Sequence, residues 1–230
     1  MKYYQIDYEF FFHNGRKKIF SIFLNPETLS YIAPNVENPP QWTILKNHQC
    51  SCCKMNEHDF LYCPIALSTF DVVENFKNFL STEKCDVFCK TQERTYMKQT
   101  SAMEGIASIL GIIMATSGCP VMGFFKPMAR FHLPFSTVLE TIVRATSMYL
   151  LRQYFEYKKG NPPDINLKKL YEYYKKVQSV NEGFLLRINS IVSKDADMNA
   201  IIILHSFAQL LSIEILEQLN NIEYLFEFKA

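Results

Sequence analysis

Alternation of apolar and polar positions marks the beginning of the chain. Between residues 4 and 12 every second side chain is tyrosine, isoleucine or phenylalanine, and most positions between them are polar or acidic. This period of two predicts a strand with one buried face. The pair Asn14-Gly15 follows and favours a hairpin turn, because both residues tolerate positive φ angles. Residues 19–24 are apolar at nearly every position, so we predict a second strand that is covered on both faces.

Apolar residues recur every three to four positions in the later segments, which is the period of an α-helix. The pattern predicts a helix of about four turns around residues 72–80. A short strand at 42–45 precedes that helix, and a second hairpin at 85–98 follows it. Two long helices are predicted at 101–117 and at 137 to about 159. An antiparallel pair of helices is expected to complete the chain.

Helix-end signals support these boundaries. Ser101 with Glu104, and Thr137 with Glu140, have the spacing of a capping box, in which each side chain satisfies a free backbone N–H of the first turn. Asp197 is predicted to cap the last helix. Glycine followed by proline ends the helix before residue 118, and a second Gly-Asn-Pro-Pro sequence ends the next one near residue 160.

Strands come first in this chain and helices follow, which argues for an α+β fold and against a parallel α/β sheet. We expect an N-terminal antiparallel β-sheet with a cysteine-rich loop, and a C-terminal, mostly α-helical bundle. Residues 1–100 would form the β-rich part with one helix, and residues 101–230 the helical part. A chain of 230 residues, 48% of them hydrophobic, is large enough to pack both parts as one compact unit.

Charge and hydropathy exclude several partners. The 24 basic and 23 acidic residues give a net charge of +1, without the basic excess that a nucleic-acid-binding surface requires. The longest apolar runs, 106–115 and 201–211, are shorter than the roughly 20 residues that span a bilayer, so both are interpreted as buried helices. Acidic residues near the N-terminus argue against an export signal. We therefore expect a soluble, cytoplasmic protein that binds neither nucleic acid nor membrane.

Seven cysteines, five of them outside regular strands, carry the clearest chemical signal. Cys50 and Cys53 form a C-x-x-C pair, and Cys63 follows ten residues later. Thiolates at this spacing can hold one metal ion, and in a reducing cytosol clustered cysteines indicate metal or redox chemistry more often than disulfides. Cys119 is the predicted fourth ligand, because Gly118-Cys119-Pro120 fixes its position at the end of a helix.

Alternatives to this ligand set remain open. His48, Cys52 and His58 compete with Cys119 for the fourth position, and free thiols without any metal are the contrasting hypothesis. Zinc is preferred to an iron–sulfur cluster, because a single C-x-x-C lacks the repeated ferredoxin spacing. The two cysteines at 85 and 89 are interpreted as small core residues of a strand.

The segment Pro-Met-Ala-Arg-Phe-His-Leu-Pro-Phe at 127–135, which its two prolines stiffen, contains two weak candidates for catalytic residues. Arg130 could bind an anion, and His132 could act as an acid–base group or metal ligand. The preferred interpretation is structural, with Arg130 paired to a carboxylate and His132 donating to a backbone carbonyl. His205 is interpreted as a core histidine with satisfied hydrogen bonds, and Arg144 with Glu140 as a surface pair on one helix.

Two segments have a distinctive composition. Residues 48–66 contain HQC, a second cysteine three positions later and CPIA, and residues 114–135 contain MATSGCP and PMARFHLPF. In these motifs, and over nearly its whole length, the chain resembles a family of uncharacterised bacterial proteins, a domain of unknown function. The resemblance implies that Cys50, Cys53, Cys63 and Cys119 recur in the family, whereas Cys52 has no counterpart. It implies no activity.

The sequence therefore predicts a metal-binding protein with a structural site of four cysteine ligands, zinc being the expected ion. One alternative is an iron–sulfur redox protein. Another is an enzyme that uses Arg130 and His132 near the metal on a small-molecule ligand of unknown identity. The third is a metal-free protein that forms a homodimer through its C-terminal helices.

Overall fold

A computed structural model describes residues 2–191, 195–217 and 219–227. Four strands form one antiparallel sheet in the order β2-β1-β3-β4. The strands are β1 (Tyr4–Phe12), β2 (Lys17–Leu24), β3 (Lys84–Lys90) and β4 (Thr95–Ser101). Both predicted hairpins are confirmed, and β1 joins them by pairing with β3.

One face of the sheet is buried, as the alternation in β1 predicts. Strand β2 differs from the prediction, because only its alternate residues are buried and Ile19 is 53% exposed. The reason is that the sheet is buried on a single face, so β2 alternates between buried and accessible residues as β1 does. The outer face carries charged pairs instead, with Glu9 bound to Lys90 at 2.5 Å.

Six α-helices account for most of the remaining described chain. They are α1 (Pro64–Phe76), α2 (Ala102–Thr116), α3 (Lys126–Arg130), α4 (Val138–Lys158), α5 (Lys168–Asn189) and α6 (Ala196–Leu216). Short 3-10 helices occur at Gln41–Thr43, Met122–Phe125 and Asn220–Phe226. An antiparallel N-terminal sheet with mostly C-terminal helices confirms the predicted α+β class.

Helices α1 and α2 cover the buried face of the sheet. The ring of Phe10 lies 5.0 Å from that of Phe76 in α1. The same phenyl ring occupies the space beside Gly105 in α2, where a Cβ atom would collide with it. Most residues of α2 are buried, so this helix joins the sheet to the helical part of the molecule.

Helices α5 and α6 run antiparallel, as predicted. The Gln178 amide donates to the Ala208 carbonyl oxygen at 3.2 Å and to the Ser212 hydroxyl at 2.9 Å. The interpretation of α6 as a buried helix is correct for one face only. Its other face exposes large apolar side chains, namely Ile202, Leu210, Ile213 and Leu216.

Helix α6 is also long and apolar enough to cross a membrane by the criteria of length and composition, with a mean hydropathy of 1.6. The sequence prediction missed this because it considered only the shorter run at 201–211. A single helix of this kind is weak evidence, since core helices of soluble proteins meet the same criteria.

Several local predictions were wrong for identifiable reasons. Residues 42–45 form a 3-10 turn followed by an isolated bridge between Ile44 and Tyr62, in place of a strand. Helix α1 starts earlier than predicted and ends at Phe76, although Phe79 remains in the core. The predicted pair of Arg144 with Glu140 does not form, because Glu140 binds the N-terminus of its own helix.

Of the two predicted capping boxes, only the one at Thr137 and Glu140 forms. Ser101 precedes α2 without a side-chain cap, because the Glu104 carboxylate binds Lys98 at 2.6 Å instead. Asp197 does not cap α6 either. Helix α6 begins one residue before it, and both carboxyl oxygens of Asp197 are buried without a hydrogen-bond partner among the described residues.

Candidate metal centre

The cysteine loop is closed at its two ends by backbone hydrogen bonds. The amide of Leu45 donates to the Leu61 carbonyl at 2.9 Å, and that of Cys63 donates to the Thr43 carbonyl at 2.8 Å. Inside the loop, the Cys53 amide donates to the Cys50 carbonyl at 2.9 Å, which makes the C-x-x-C segment a tight turn. These bonds bring Cys63 back beside the beginning of the loop.

Cys63 and Cys119 both lie at helix termini. Cys63 is the N-cap residue of α1, with Pro64 as the first helical residue. Negative charge at that position is stabilised by the partial positive charge of the helix N-terminus. Cys119 follows Gly118, whose φ of +92° lets the chain turn sharply at the end of α2.

The four predicted ligands line one small pocket. Cys50, Cys53, Cys63 and Cys119 surround a cavity of about 30 Å³, together with residues of α5. Three separate chain segments therefore meet at the point where the sequence predicts a common site. In the described part of the chain, no group of three or more His, Cys, Asp or Glu side chains stands in positions that could hold a metal ion.

Burial favours the protonated form of two of these thiols, those of Cys50 and Cys119. It raises the pKa of Cys50, and the neighbouring thiols of Cys52 and Cys53 raise it further. Burial also raises the pKa of Cys119, whereas the amide groups of Met122 and Val121 favour its thiolate. A cation in the pocket would reverse the first effect and release protons on binding.

Helix α5 closes the pocket with two residues that the sequence analysis did not select. A Cβ atom on Gly183 would lie 3.0 Å from the Cβ atom of Cys50 and 3.2 Å from the carbonyl oxygen of His48. The absence of a side chain therefore permits the cysteine loop to pack directly on the helix.

The second residue is Arg187, which is 2% exposed. Its guanidinium donates to the carbonyl oxygens of Trp42, Ile44 and Leu45 at 2.6–2.7 Å, so it fixes the chain that enters the cysteine loop. No carboxylate among the described residues pairs with it. Burial lowers its pKa, and the nearby thiols, of which Cys63 has the largest effect, act in the opposite direction.

Of the three competing ligands, only His48 lies at the cysteine pocket. His48 lines the pocket. Cys52 lies outside it and donates its S–H to the Lys176 carbonyl at 3.4 Å. His58 is exposed and does not contribute to the pocket wall. Cys85 and Cys89 are buried in the sheet, as predicted for core residues.

Arg130 and His132 lie away from the cysteine pocket. Arg130 faces the Glu93 carboxylate at 3.6 Å and the Tyr4 ring at 4.2 Å, in agreement with the structural interpretation. The Nε2 atom of His132 bonds to the hydroxyl of Tyr8 at 2.5 Å, where a backbone carbonyl was predicted.

His132 lines a different and larger cavity, of about 520 Å³, between the helices. Burial in that wall and, to a smaller extent, the positive charge of Arg144 together lower its pKa to about 3. His205, which the sequence predicted to be satisfied, has a buried Nδ1 atom without a hydrogen-bond partner among the described residues.

The fold and the pocket together define the class of protein. It is an α+β protein in which four cysteines from the cysteine loop, the start of α1 and the end of α2 line one pocket that α5 closes. The chain belongs to the family described as Domain of unknown function (DUF6901), whose model matches residues 6–227. No curated protein and no solved structure matches the chain.

Proposed function

We propose that this protein binds one metal ion, with zinc as the expected ion, through Cys50, Cys53, Cys63 and Cys119. The ion would have a structural role, because its four ligands come from the cysteine loop, the start of α1 and the end of α2. The observation that carries the proposal is that all four thiols line the same small pocket. Four protein ligands around zinc leave no open position for a substrate.

Charge and size support this ion and this ligand set. A zinc ion with four thiolates has a net charge of −2, and the buried cation Arg187 beside the pocket would offset part of it. The cavity of about 30 Å³ is roughly the volume that one water molecule occupies in the liquid. It therefore suits a single ion better than a cluster of several iron and sulfide ions.

Elemental analysis of protein purified without chelators tests the proposal. We expect about one zinc per chain and a colourless solution. Replacement Cys119→Ser should abolish stoichiometric zinc. The matched control is Cys52→Ser, in the same loop but outside the pocket, which should retain full zinc content. Equal zinc content in the two variants, or no metal in the wild type, would contradict the proposal.

An iron–sulfur cluster on the same cysteines is the second candidate. Thiolate ligands are the observation in its favour, since they suit both zinc and iron–sulfur centres. Anaerobically purified protein would then be brown and would contain iron and sulfide in place of zinc. The enzyme hypothesis has weaker support, because the pocket of the cysteines and the cavity of His132 have no lining residue in common.

A further inference from the structure

The cavity that contains His132 is a candidate ligand site independent of the cysteines. It lies among α2, α5, α6 and the segment that leads into α4, and its volume of about 520 Å³ is within the usual range of small-molecule sites. Most of its wall is apolar, with contributions from alanine, isoleucine, leucine, methionine and phenylalanine side chains. A molecule that fills it must therefore be largely apolar.

Asn181 places an unused acceptor in this wall. The residue is 2% exposed, and its Oδ1 atom has no hydrogen-bond partner among the described residues. A buried acceptor without a partner costs about 1–3 kcal/mol, so native proteins rarely retain one without a reason. A hydroxyl or N–H group of a ligand would supply the missing donor once rotation of the Asn181 amide turns its Oδ1 atom toward the cavity.

Arg144 places a positive charge in the same wall. Its Nη2 atom donates to the carbonyl oxygens of Met128 and Phe131 at 3.1 and 3.0 Å. Its other N–H groups have no acceptor among the described residues. Glu140, one turn earlier in α4, is occupied by the amide of Thr137 at 2.7 Å.

The remaining charges of the wall cancel. Lys98 and Glu104 bind each other at 2.6 Å. His132 is neutral near pH 7, since burial lowers its pKa to about 3. Glu140 interacts with Arg144 electrostatically but is not among the residues that line the cavity. Within the described wall Arg144 is thus the charge without a partner in the wall itself, and an anionic group of a ligand would complement it.

Arg144 of α4 and Asn181 of α5 contact the cavity at different levels along the axis of α5. Tyr174, whose phenol interacts electrostatically with the Arg144 guanidinium, also lines the cavity. Asn181 lies seven residues further on the same face of α5, a distance of about 10 Å along the helix axis. We propose that the cavity binds an elongated, largely apolar organic acid, with its acid group at Arg144 and a hydroxyl or N–H group at the Asn181 Oδ1 atom.

Isothermal titration calorimetry with three straight-chain probes tests this proposal on the purified full-length protein. Decanol lacks the acid group, decanoate has only the acid group, and ω-hydroxydecanoate has both polar ends. We expect one binding site per chain. The affinity should be highest for ω-hydroxydecanoate, lower for decanoate and lowest for decanol. Loss of the hydroxyl should weaken binding about threefold to tenfold, which corresponds to one neutral hydrogen bond.

Two substitutions assign the ends of the ligand. Asn181→Leu removes an acceptor that has no protein partner, so we expect it to fold normally and to bind decanoate and ω-hydroxydecanoate equally. Asn189→Leu, an exposed position of the same helix, is the matched control and should keep the preference. Arg144→Gln should weaken the binding of decanoate about tenfold or more and leave the binding of decanol unchanged. Charge-assisted hydrogen bonds are about twice as strong as neutral ones.

The proposal fails if no probe binds to folded protein. It also fails if the Asn181→Leu variant retains the preference for the hydroxyl, or if decanol binds as tightly as decanoate. Metal content is measured on the same samples, so loss of the cysteine site would be recognised separately.

Discussion

Arg187 is buried and donates only to backbone carbonyl groups, without a carboxylate partner among the described residues. An isolated buried charge is expensive, and proteins usually pair such a group. Four thiolates around a metal ion would supply the missing negative charge. Arg187 therefore links the geometry of the loop to the chemistry of the pocket, and its burial is hard to understand if the four thiols remain neutral.

At the residue scale, His132 gives a prediction about pH. Its pKa in the folded protein is about 3, below the value of 6.5 expected in the unfolded chain. The unfolded state therefore binds the additional proton between those limits, so stability should fall as the pH decreases from about 6.5 to about 3. The variant His132→Gln has no titratable imidazole at this position and therefore lacks this contribution to the pH dependence of stability.

Denaturant unfolding of the two proteins at several pH values measures the effect. The stability of the wild type relative to His132→Gln should decline with decreasing pH, by up to about 1.4 kcal/mol per pH unit. Burial raises the pKa of Asp197 to about 8, so its effect on stability has the opposite pH dependence. Asp197 is present in both proteins, and its effect therefore cancels in the difference between them. A difference that stays constant from pH 6.5 to 3 would contradict the account.

Single residues also show where sequence reasoning ends. Cysteine spacing identified three side chains of the pocket, because ligand chemistry restricts the residue types and their separation. The fourth, Cys119, was identified by its position at the end of a helix. Arg187 and Gly183 gave no comparable signal. An arginine and a glycine within a helix are ordinary, and their importance arises from the distant loop that packs against them.

At the scale of elements, the contact between α5 and the cysteine loop is the most sensitive. Gly183→Ala would force the loop away from the helix, because the new Cβ atom would meet both a side chain and backbone atoms of the loop. We expect a loss of about 1–3 kcal/mol in the free energy of unfolding. Weaker zinc binding in a chelator competition should accompany it.

Gly123→Ala is the matched control. Gly123 has nothing within 4 Å of the added Cβ atom, so this change should leave both stability and zinc affinity close to wild type. If the Gly183 variant were as stable and bound zinc as tightly as the Gly123 variant, the close packing of the loop on α5 would be wrong.

Helix caps provide a second prediction at this scale. Thr137→Ala removes a cap that bonds to the Glu140 amide at 3.2 Å, and should cost about 1 kcal/mol. Ser101→Ala should cost much less, because the Ser101 side chain makes no cap bond. Chemical denaturation of both variants measures the two costs, and equal losses would show that the cap assignment is wrong.

The two caps illustrate what local sequence predicts. Both have the same Ser/Thr-x-x-Glu spacing, and the hydrophobic periods gave correct strands and helices around them. Only tertiary structure decides that Glu104 binds Lys98 of the preceding strand, while Glu140 is free to complete its box. The edge position of β2 and the exposed face of α6 were missed for the same reason, since they depend on which elements become neighbours.

For the whole molecule, the exposed apolar face of α6 predicts a homodimer. Large exposed apolar patches commonly mark interaction sites. Light scattering should give about twice the 26.9 kDa mass of the chain. Ile213→Lys, at a 51% exposed position of α6, should produce a monomer.

Leu151→Lys is the control, since Leu151 is 56% exposed but lies on α4, and the dimer should persist in this variant. A monomeric wild type would contradict the prediction. Recovery of the protein with the membrane fraction would also contradict it, and would assign the apolar face of α6 to a lipid environment.

X-ray absorption at the zinc edge of the purified protein shows whether the four thiols converge on one ion. We expect a single shell of four sulfur ligands at about 2.3 Å. A shell dominated by nitrogen or oxygen, or the absence of bound zinc, would contradict this expectation.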